Sequence, residues 1–382
     1  MKILAIYSNT GSGIPVIYQR MICELARYDG VEIDVLSDGE SNDSLAGVRN
    51  QYHLPFSRKM QSWYRKFLRW FGTTPLSTRW SHRASEIVAK DYDVVIAFIA
   101  TSQLTPLVCG RIISEKLGCK FAVYTVDAIP APGGWTRKRS EFRGKKKFVE
   151  RNFPSIDYLA SSNPHMLEYQ LTTFEHKPNL VAETLFTPSP STYYNYPISD
   201  EIMFLYTGNL YGLRNPNYIF RAFRRLLKVY PQAQFMIVGE MKKLGKTYLT
   251  LTNEERKHII TGEHTSDLAP LFRRAMILVD IDADREKDPF LSSKIVTYIK
   301  ANRVILSETG KVTPSREIFA GLNTVIQCDH NEDSLYEGML RAIEVAKSNP
   351  DYSEREPIIK KFAVESVVAI MHESLVRVCG GK

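Results

Sequence analysis

Three segments of this sequence carry hydroxyl, cationic or glycine residues in combinations that bind phosphate groups, and two of the three contain glycine. The first is the loop with Gly11, Ser12 and Gly13, which follows an apolar run at residues 3–7. Glycine lets the backbone approach a ligand closely, and the N-terminus of a following helix favours an anion. The loop is compatible with a phosphate site or with a structural turn. Val16 stands where the dinucleotide fingerprint requires a third glycine, which argues against an NAD site.

The second and third segments lie in the other half of the chain. Gly208 and Asn209 follow another apolar run, and Arg214 comes shortly after them. A guanidinium can hold two phosphate oxygens at once, so this loop is a candidate diphosphate site. Ser293 and Lys294 place a hydroxyl and an amine where a helix is predicted to begin, and Ser293 could cap that helix or bind phosphate. Both segments are also compatible with surface turns that bind nothing.

Short apolar runs alternate with helix-period segments, and these elements must position the loops. The runs show no apolar–polar alternation, which is typical of parallel strands covered on both faces. The sequence therefore predicts a doubly wound α/β fold. The predicted strands are residues 2–7, 31–36, 94–98, 120–124, 158–160, 203–206, 235–238, 277–281, 304–306 and 324–327. The predicted helices are residues 16–26, 77–89, 103–117, 145–153, 217–229, 267–275, 293–300 and 335–347.

The 382 residues form two such strand–helix series rather than one. Proline and serine at residues 187–191 interrupt the pattern, and this composition is typical of a linker. We therefore predict a first domain at residues 1–185, a linker at 186–200, a second domain at 201–355 and a C-terminal helix at 356–382.

Positive charge is concentrated in the first half of the chain. Residues 1–180 contain 24 Lys and Arg against 17 Asp and Glu, whereas the remainder contains 26 against 25. This asymmetry indicates an anionic partner for the first half. The five cysteines lack metal-ligand spacing, so neither a metal site nor a disulfide framework is predicted. No run approaches the roughly 18 apolar residues that span a bilayer, which predicts a protein that is cytosolic or peripheral to a membrane.

Two basic segments in this half point to the kind of partner. Residues 57–71 place Trp63, Phe67 and Phe71 at helical spacing between arginines and lysines. This pattern is typical of a helix that rests on an anionic bilayer, and also of a helix whose aromatic side chains face its own core. A second basic run spans residues 137–147. The two runs favour a membrane or an anionic acceptor over nucleic acid, for which no recognised module is present.

Taken in order, these segments resemble the GT-B glycosyltransferases, in particular the family-4 branch that builds bacterial surface polysaccharides. The resemblance covers nearly the whole chain. It implies two Rossmann-like domains that face each other across a cleft, with the C-terminal helix crossing back to the first domain. The matching segments are the opening strand with its glycine loop, and residues 204–210, 235–239, 293–306 and 362–375.

The resemblance also implies a role for each candidate residue. The second domain would hold a nucleotide-sugar donor and the first an acceptor, with no metal and no cofactor. Asp127, at the end of a first-domain strand, falls where the family places a cleft-facing polar residue and is the catalytic candidate. The glycine loop of residues 11–13 would line the opposite wall. The donor-binding candidates are Gly208, Asn209, Arg214, Gly239, Ser293, Lys294 and Thr297.

Asn209, Asn302 and Val304 depart from the family's pattern, and two further positions do so where the family holds the donor. The family has a glutamate inside the helix after Ser-Lys and another eight residues earlier, where this chain has Thr297 and Pro289. An active enzyme would then need another carboxylate, and the nearest in sequence are Asp284, Glu286 and Asp288, on the loop before that helix. The alternative interpretation is that the acidic and basic run from Asp282 to Asp288 is a solvated surface loop.

We therefore expect a glycosyltransferase that moves a sugar, with retention of configuration, from a nucleotide-sugar to a hydroxyl of a lipid-linked or polysaccharide acceptor. Its location would be the cytoplasm or the inner face of a membrane, with an anionic membrane surface as a partner and no nucleic acid. The alternative is a catalytically silent GT-B-like protein that binds a nucleotide-sugar or a partner at the membrane. A dinucleotide-dependent oxidoreductase is a third class.

Overall fold

Two parallel β-sheets organise the chain. The computed structural model describes residues 1–9, 14–39, 44–56, 58–136, 138–239 and 244–380, and for residues 58–61 and 64 it describes the backbone only. The predicted glycine loop with Gly11, Ser12 and Gly13 lies outside the described residues.

The first sheet is entirely parallel, with helices between its strands. The strands are β1 (Lys2–Tyr7), β2 (Glu32–Ser37), β3 (Val48–His53), β4 (Val94–Ile99), β5 (Lys120–Thr125), β6 (Tyr158–Ser161) and β7 (Val181–Thr184). They are arranged in the order β3-β2-β1-β4-β5-β6-β7. The helices are α1 (Ile14–Leu25), α2 (Arg58–Phe71), α3 (Pro75–Ile87), α4 (Thr105–Leu117), α5 (Arg139–Asn152) and α6 (Pro164–Thr173).

The second sheet repeats this organisation. Its strands are β8 (Met203–Thr207), β9 (Gln234–Val238), β10 (Ile259–Gly262), β11 (Ile277–Ile281), β12 (Val304–Glu308) and β13 (Val325–Cys328), in the order β10-β9-β8-β11-β12-β13. The remaining helices are α7 (Asn217–Leu226), α8 (Gly245–Leu249), α9 (Asn253–Lys257), α10 (Ala269–Arg274), α11 (Ser293–Tyr298), α12 (Pro314–Ile318), α13 (Glu332–Lys347), α14 (Glu356–Lys361) and α15 (Val364–Gly380).

The predicted doubly wound α/β fold is confirmed, and every predicted strand is present. The three strands that sequence reasoning missed, β3, β7 and β10, all lie at sheet edges. An edge strand is covered less completely than a central one, so it needs no continuous apolar run. In β3, for example, every side chain is half-buried or exposed.

The chain divides into two compact units, one formed by Met1–Pro188 with Phe362–Lys382 and the other by Ser189–Lys361. The C-terminal helix α15 belongs to the first unit, because Val367, Met371 and Leu375 are buried in the same core as residues of β1 and β4. The predicted return of a C-terminal helix to the first domain is confirmed for α15, whereas residues 356–361 of the predicted helix form α14 and belong to the second unit.

The buried side chain of Arg303, together with its neighbour Asn302, binds the predicted linker to the second unit. Arg303 donates through Nη1 to the carbonyl oxygen of Tyr196 at 3.0 Å and through Nη2 to that of Pro197 at 2.9 Å. Asn302 exchanges two further hydrogen bonds with the Tyr196 backbone. These hydrogen bonds make this part of the predicted linker a portion of the second unit.

Arg355 anchors the segment that leaves the second unit. It is fully buried and donates to the carbonyl oxygens of Ala301, Arg303 and Thr324, each at 2.8 Å. Burial lowers the pKa of Arg355 to about 10, but the side chain stays protonated at neutral pH. Its charge is thus compensated by carbonyl dipoles rather than by a carboxylate hydrogen bond.

We expect Arg355→Ala to destabilise the second unit by on the order of 3 kcal/mol, because three buried carbonyl groups lose a charged donor. Scanning calorimetry of the full chain measures the effect. The control is Arg341→Ala, which removes an exposed arginine paired with Glu344 and should change stability by under about 1 kcal/mol. Equal stability of the two variants would contradict the anchoring role of Arg355.

Candidate functional site

The carboxyl ends of β8 and β9 meet at two glycines. Gly208 follows β8 and Gly239 follows β9, and the Gly208 N–H donates to the carbonyl oxygen of Val238 at 2.7 Å. Both glycines have positive φ, 107° and 144°, a region that other residues adopt at a cost. A Cβ on Gly239 would lie only 2.3 Å from the Gly208 carbonyl oxygen. This close approach therefore requires glycine at both positions.

Lys294, the second residue of α11, lies across Gly208. A Cβ on Gly208 would be 3.1 Å from Lys294 Cε, and Lys294 Nζ lies 5.3 Å from the ring centroid of Tyr206. Burial, followed by the charge of Arg214, lowers the pKa of Lys294 to about 8. Two of the predicted donor-binding residues, distant in sequence, are therefore in direct proximity.

Arg214 brings a second cation to this edge of the sheet. Its guanidinium lies over the ring of Tyr211, with Cζ 4.7 Å from the ring centroid, and it interacts electrostatically with Lys294. Arg214 Nε is buried without a hydrogen-bond partner among the described residues. Two cations with incomplete compensation are thus held at the ends of β8 and β11, where an anion would be attracted.

Carboxylates at the end of β11 balance part of this charge. Asp280 and Asp282 are buried, and both attract Arg214 and Lys294. Burial, together with the negative charge of Asp280, raises the pKa of Asp282. Sequence reasoning named neither Asp280 nor Asp282 as a candidate site residue. The available signal was the interruption of an apolar strand by two alternate aspartates.

Helix α11 begins at Ser293, the residue where the sequence predicts its start. Ser292 occupies the N-cap position, and its hydroxyl donates to Asp280 Oδ1 at 2.7 Å instead of capping the helix. Ser293 is the first helical residue and is exposed. Of the two roles considered for Ser293, capping is therefore wrong, and phosphate binding stays a prediction.

The remaining donor-binding candidates add no charge to this edge of the sheet. Asn209 is exposed, and its carbonyl oxygen accepts a hydrogen bond from the Tyr206 hydroxyl at 3.2 Å. The Thr297 hydroxyl donates to the Ser293 carbonyl oxygen at 3.4 Å. One residue later, Tyr298 Oη accepts from the Thr207 N–H at 2.9 Å and so ties α11 to the end of β8.

The three acidic candidates of the preceding loop have different environments. Asp288 is fully buried, Glu286 is exposed, and Asp284 Oδ2 accepts from Asn215 Nδ2 at 2.9 Å. The interpretation of this run as a solvated loop is wrong for Asp282 and Asp288. Through Asn215, Asp284 connects the loop to the one that carries Arg214.

A buried acid–base pair lies further along the same edge. Glu308, the last residue of β12, accepts from His330 Nδ1 through Oε1 at 3.0 Å. Burial raises the pKa of Glu308 to about 7. Burial alone would lower the pKa of His330, but the hydrogen bond and charge of Glu308, together with the charges of Asp284 and Asp282, outweigh it and raise that pKa. Sequence reasoning missed this pair because the predicted strand ended two residues before Glu308.

Asp127 lies at the carboxyl edge of the first sheet, after β5. Its Oδ2 accepts from the Thr101 N–H at 2.8 Å, and Thr101 Oγ1 accepts from Lys145 Nζ at 3.2 Å. Lys145 also pairs with Glu141 at 2.9 Å. Burial raises the pKa of Asp127, whereas the Thr101 N–H and the charge of Lys145 oppose this shift. A carboxylate and an ammonium group are thereby held on either side of one threonine.

Two further observations bear on the sequence-based expectations. Within the described ranges, no group of three or more His, Cys, Asp or Glu side chains is arranged to hold a metal ion. Of the helices in the described part of the chain, none combines the length and the apolar character that a bilayer span requires.

No family model matches this sequence, and no curated protein shows significant similarity to it. Solved structures are similar over the whole chain. HepE from Anabaena, solved with UDP-glucose, superimposes with a TM-score of 0.68 at 13% identity, covering 99% of this chain and 100% of its own. The lipopolysaccharide outer core galactosyltransferase WaaB superimposes with a TM-score of 0.64 at 13% identity, and the match covers 99% of each chain. This protein has the GT-B fold.

The GT-B fold also includes enzymes of another kind. The UDP-GlcNAc 2-epimerase from Neisseria meningitidis, solved with UDP-GlcNAc, superimposes with a TM-score of 0.59 at 13% identity, covering 99% of this chain and 100% of its own. At such identities the likeness concerns the fold. The predicted GT-B architecture is confirmed, and the site residues stay predictions that rest on their own geometry.

The Glu308–His330 pair predicts a pH-dependent stability. Both folded-state pKa values are raised, so the folded state holds these protons more tightly than the unfolded state. The contribution of Glu308 is complete below its unfolded pKa of 4.5 and is lost as the pH rises through about 7. When the pH rises from about 5 to about 8, the free energy of unfolding of the wild type should fall by on the order of 1–3 kcal/mol more than that of Glu308→Gln.

Melting temperatures at the two pH values measure this difference. The Glu308→Gln variant keeps an acceptor for His330 but has no side chain that titrates at this position, whereas Glu344→Gln, at an exposed position, serves as the control. Identical pH profiles for all three proteins would show that the pair does not titrate on unfolding.

Proposed function

We propose that this GT-B protein transfers a sugar from a nucleotide-sugar donor to an acceptor hydroxyl. The observation that carries the proposal is the pair of cations, Arg214 and Lys294, beside Gly208 at the carboxyl ends of the second sheet. Ligands of α/β folds bind at such strand ends. The departing nucleoside diphosphate gains negative charge as the sugar leaves, and preorganised cations stabilise that charge.

The solved neighbours support a nucleotide-sugar as the ligand. HepE was solved with UDP-glucose, and WaaB is a galactosyltransferase. A UDP-sugar is therefore the first donor to test. In this proposal Lys294 and Arg214 contact the diphosphate, with Gly208, Asn209, Gly239, Ser293 and Thr297 around it.

The missing family glutamates need a replacement in this proposal. Asp284 is the strongest candidate, because its bond to Asn215 places a carboxylate next to the loop of Arg214. Asp288 is buried, and Glu286 is exposed, so each would require a rearrangement or a mobile contact to reach a donor. Alanine substitution of Asp284 should then reduce turnover more than substitution of Glu286.

We assign the acceptor to the first unit, with Asp127 as the catalytic candidate and Lys145 beside it. The acceptor would be a lipid-linked or polysaccharide intermediate, and the protein would act in the cytoplasm, at the inner face of a membrane. Retention of configuration is proposed by analogy with the family-4 branch alone. No metal ion and no cofactor is invoked, because the two cations would carry the leaving-group charge.

Two other outcomes have a specific basis. Thr297 and Pro289 in place of glutamates favour a protein that binds a nucleotide-sugar without turning it over. The likeness to the Neisseria epimerase makes isomerisation of a bound nucleotide-sugar the other candidate function. The chemistry separates the three: transfer releases a nucleoside diphosphate, isomerisation changes the sugar while it stays attached, and a silent binder does neither.

A thermal-shift screen with UDP-, GDP-, ADP- and CMP-sugars identifies the donor. A ligand at a hundred times its Kd should add about 2.7 kcal/mol to the stability of the folded protein. Nucleotide release in the presence of candidate acceptors then reports transfer. The absence of any shift with the whole panel would contradict nucleotide-sugar binding, and a shift without release would support the silent alternative.

With the donor identified, Lys294→Ala and Arg214→Ala should each weaken its binding. Losing a charge-assisted contact costs on the order of 1.5–3 kcal/mol, which corresponds to roughly 10- to 150-fold in Kd. Lys228→Ala, at an exposed lysine after α7, is the control and should bind as the wild type does. Wild-type affinity in both site variants would place the diphosphate elsewhere.

A further inference from the structure

Helices α2 and α5 lie side by side in the first unit. A Cβ on Gly144 of α5 would lie 2.1 Å from a backbone carbonyl oxygen of α2, so this contact requires glycine. Arg69 Nε donates to Ser140 Oγ at 2.8 Å, and Arg151 Nη1 donates to the carbonyl oxygen of Gly72 at 2.9 Å. The two basic runs that are separate in the sequence therefore form one surface, which we call the α2–α5 surface.

The outer side of α2 is aromatic. Leu68 is buried in the core, whereas Trp63, Trp70 and Phe71 are 49%, 64% and 61% exposed. Phe67 links two of them, with its ring centroid 6.2 Å from that of Trp63 and 6.0 Å from that of Phe71. The interpretation that these aromatic side chains face their own core is wrong for Trp63 and Phe71, and Leu68 takes the inward position.

Positive charge accompanies these aromatic side chains. Helices α2 and α5 contain eleven Lys and Arg against two Glu, a net charge of +9, while the whole chain carries +8. Lys66 Nζ lies 4.8 Å from the ring centroid of Trp63, and Arg69 Cζ lies 5.1 Å from that of Trp70. Cations and exposed rings thus alternate along α2 within contact distance of each other.

We propose that the α2–α5 surface docks on an anionic lipid bilayer. Trp63, Trp70 and Phe71 enter the interfacial region, where indole and phenyl rings are favoured, and the cations face the phosphate headgroups. An anionic bilayer offers both a negative surface and an apolar layer beneath it. The positive charge of the α2–α5 surface complements the negative headgroups, and its exposed rings complement the apolar layer.

The position of this surface also specifies the acceptor. Helix α5 carries Lys145 on its buried side, where it bonds to Thr101, and the Thr101 N–H bonds to Asp127. One helix therefore separates the docking surface from the proposed acceptor site. An acceptor anchored in the same bilayer by a lipid tail would present its head group on the Asp127 side of the first sheet. This step rests on the proposed sugar transfer, whereas the docking itself does not.

Flotation of the full chain with lipid vesicles tests the docking. The vesicles are neutral phosphatidylcholine, alone or with about one third phosphatidylglycerol, at roughly 0.1 M salt. We expect at least tenfold stronger binding to the anionic vesicles, and weaker binding as salt screens the charges. Equal binding to both compositions, or no binding, overturns the proposal.

Two double variants separate the contributions of charge and rings. Arg65→Ser with Lys66→Ser removes cations, Trp70→Ser with Phe71→Ser removes rings, and each should weaken binding to anionic vesicles at least fivefold. Unchanged melting temperatures establish that the variants are folded.

Matched controls lie on the second unit. Lys228→Ser with Lys257→Ser removes the same charge, and Val229→Ser with Leu249→Ser removes exposed apolar side chains of similar exposure. Both controls should stay within twofold of the wild type. Loss of binding only in the cation variant would indicate a site for soluble anions and would overturn bilayer insertion, as would displacement of the vesicles by RNA or DNA.

Vesicle binding is measured without any donor, so its failure is distinguishable from a failure of sugar transfer. If transfer is observed, a lipid-tailed acceptor should lose at least fivefold in kcat/KM with the ring variant, while a water-soluble acceptor should not. Equal losses with both acceptors would overturn the link between docking and acceptor.

Discussion

The close approach of two strand ends at Gly208 and Gly239 is the constraint on which the second unit's site depends. A Cβ at position 208 would press on the Lys294 side chain where it lies across the loop, at 3.1 Å from Lys294 Cε. Tyr298, on the same helix, then binds Thr207 and fixes that helix against β8. The site is therefore a consequence of backbone packing. Uncharged residues, Gly208, Thr207 and Tyr298, position the charged side chain of Lys294.

Burying two cations beside this contact requires compensation. Asp280 and Asp282 supply it from β11, and Ser292 holds Asp280 through its hydroxyl. The compensation is partial, since burial still lowers the pKa of Lys294 to about 8. A diphosphate would complete the charge balance that the protein leaves open. The first unit shows a related arrangement. The charge of Lys145, which bonds to Thr101, opposes the increase that burial causes in the pKa of Asp127.

Sequence patterns predicted the architecture because central parallel strands are apolar runs, and each of the ten predicted runs is a strand. They failed where tertiary contacts decide. Edge strands such as β3 carry no such run, and the N-cap of α11 is Ser292, whose hydroxyl bonds to Asp280, rather than Ser293. The pairing of Glu308 with His330, and of α2 with α5 at Gly144, joins segments far apart in the chain. No local pattern encodes these contacts.

Proton uptake on binding of UDP tests the central claim most directly, and calorimetry in buffers of different ionisation enthalpy measures it. At about pH 8 roughly half of the Lys294 side chains are protonated in the free protein. A diphosphate held by Lys294 would restore the full charge, so binding should take up about half a proton in the wild type. The uptake should fall in Lys294→Met. No uptake in the wild type, or the same uptake in the variant, would contradict a diphosphate site at Lys294.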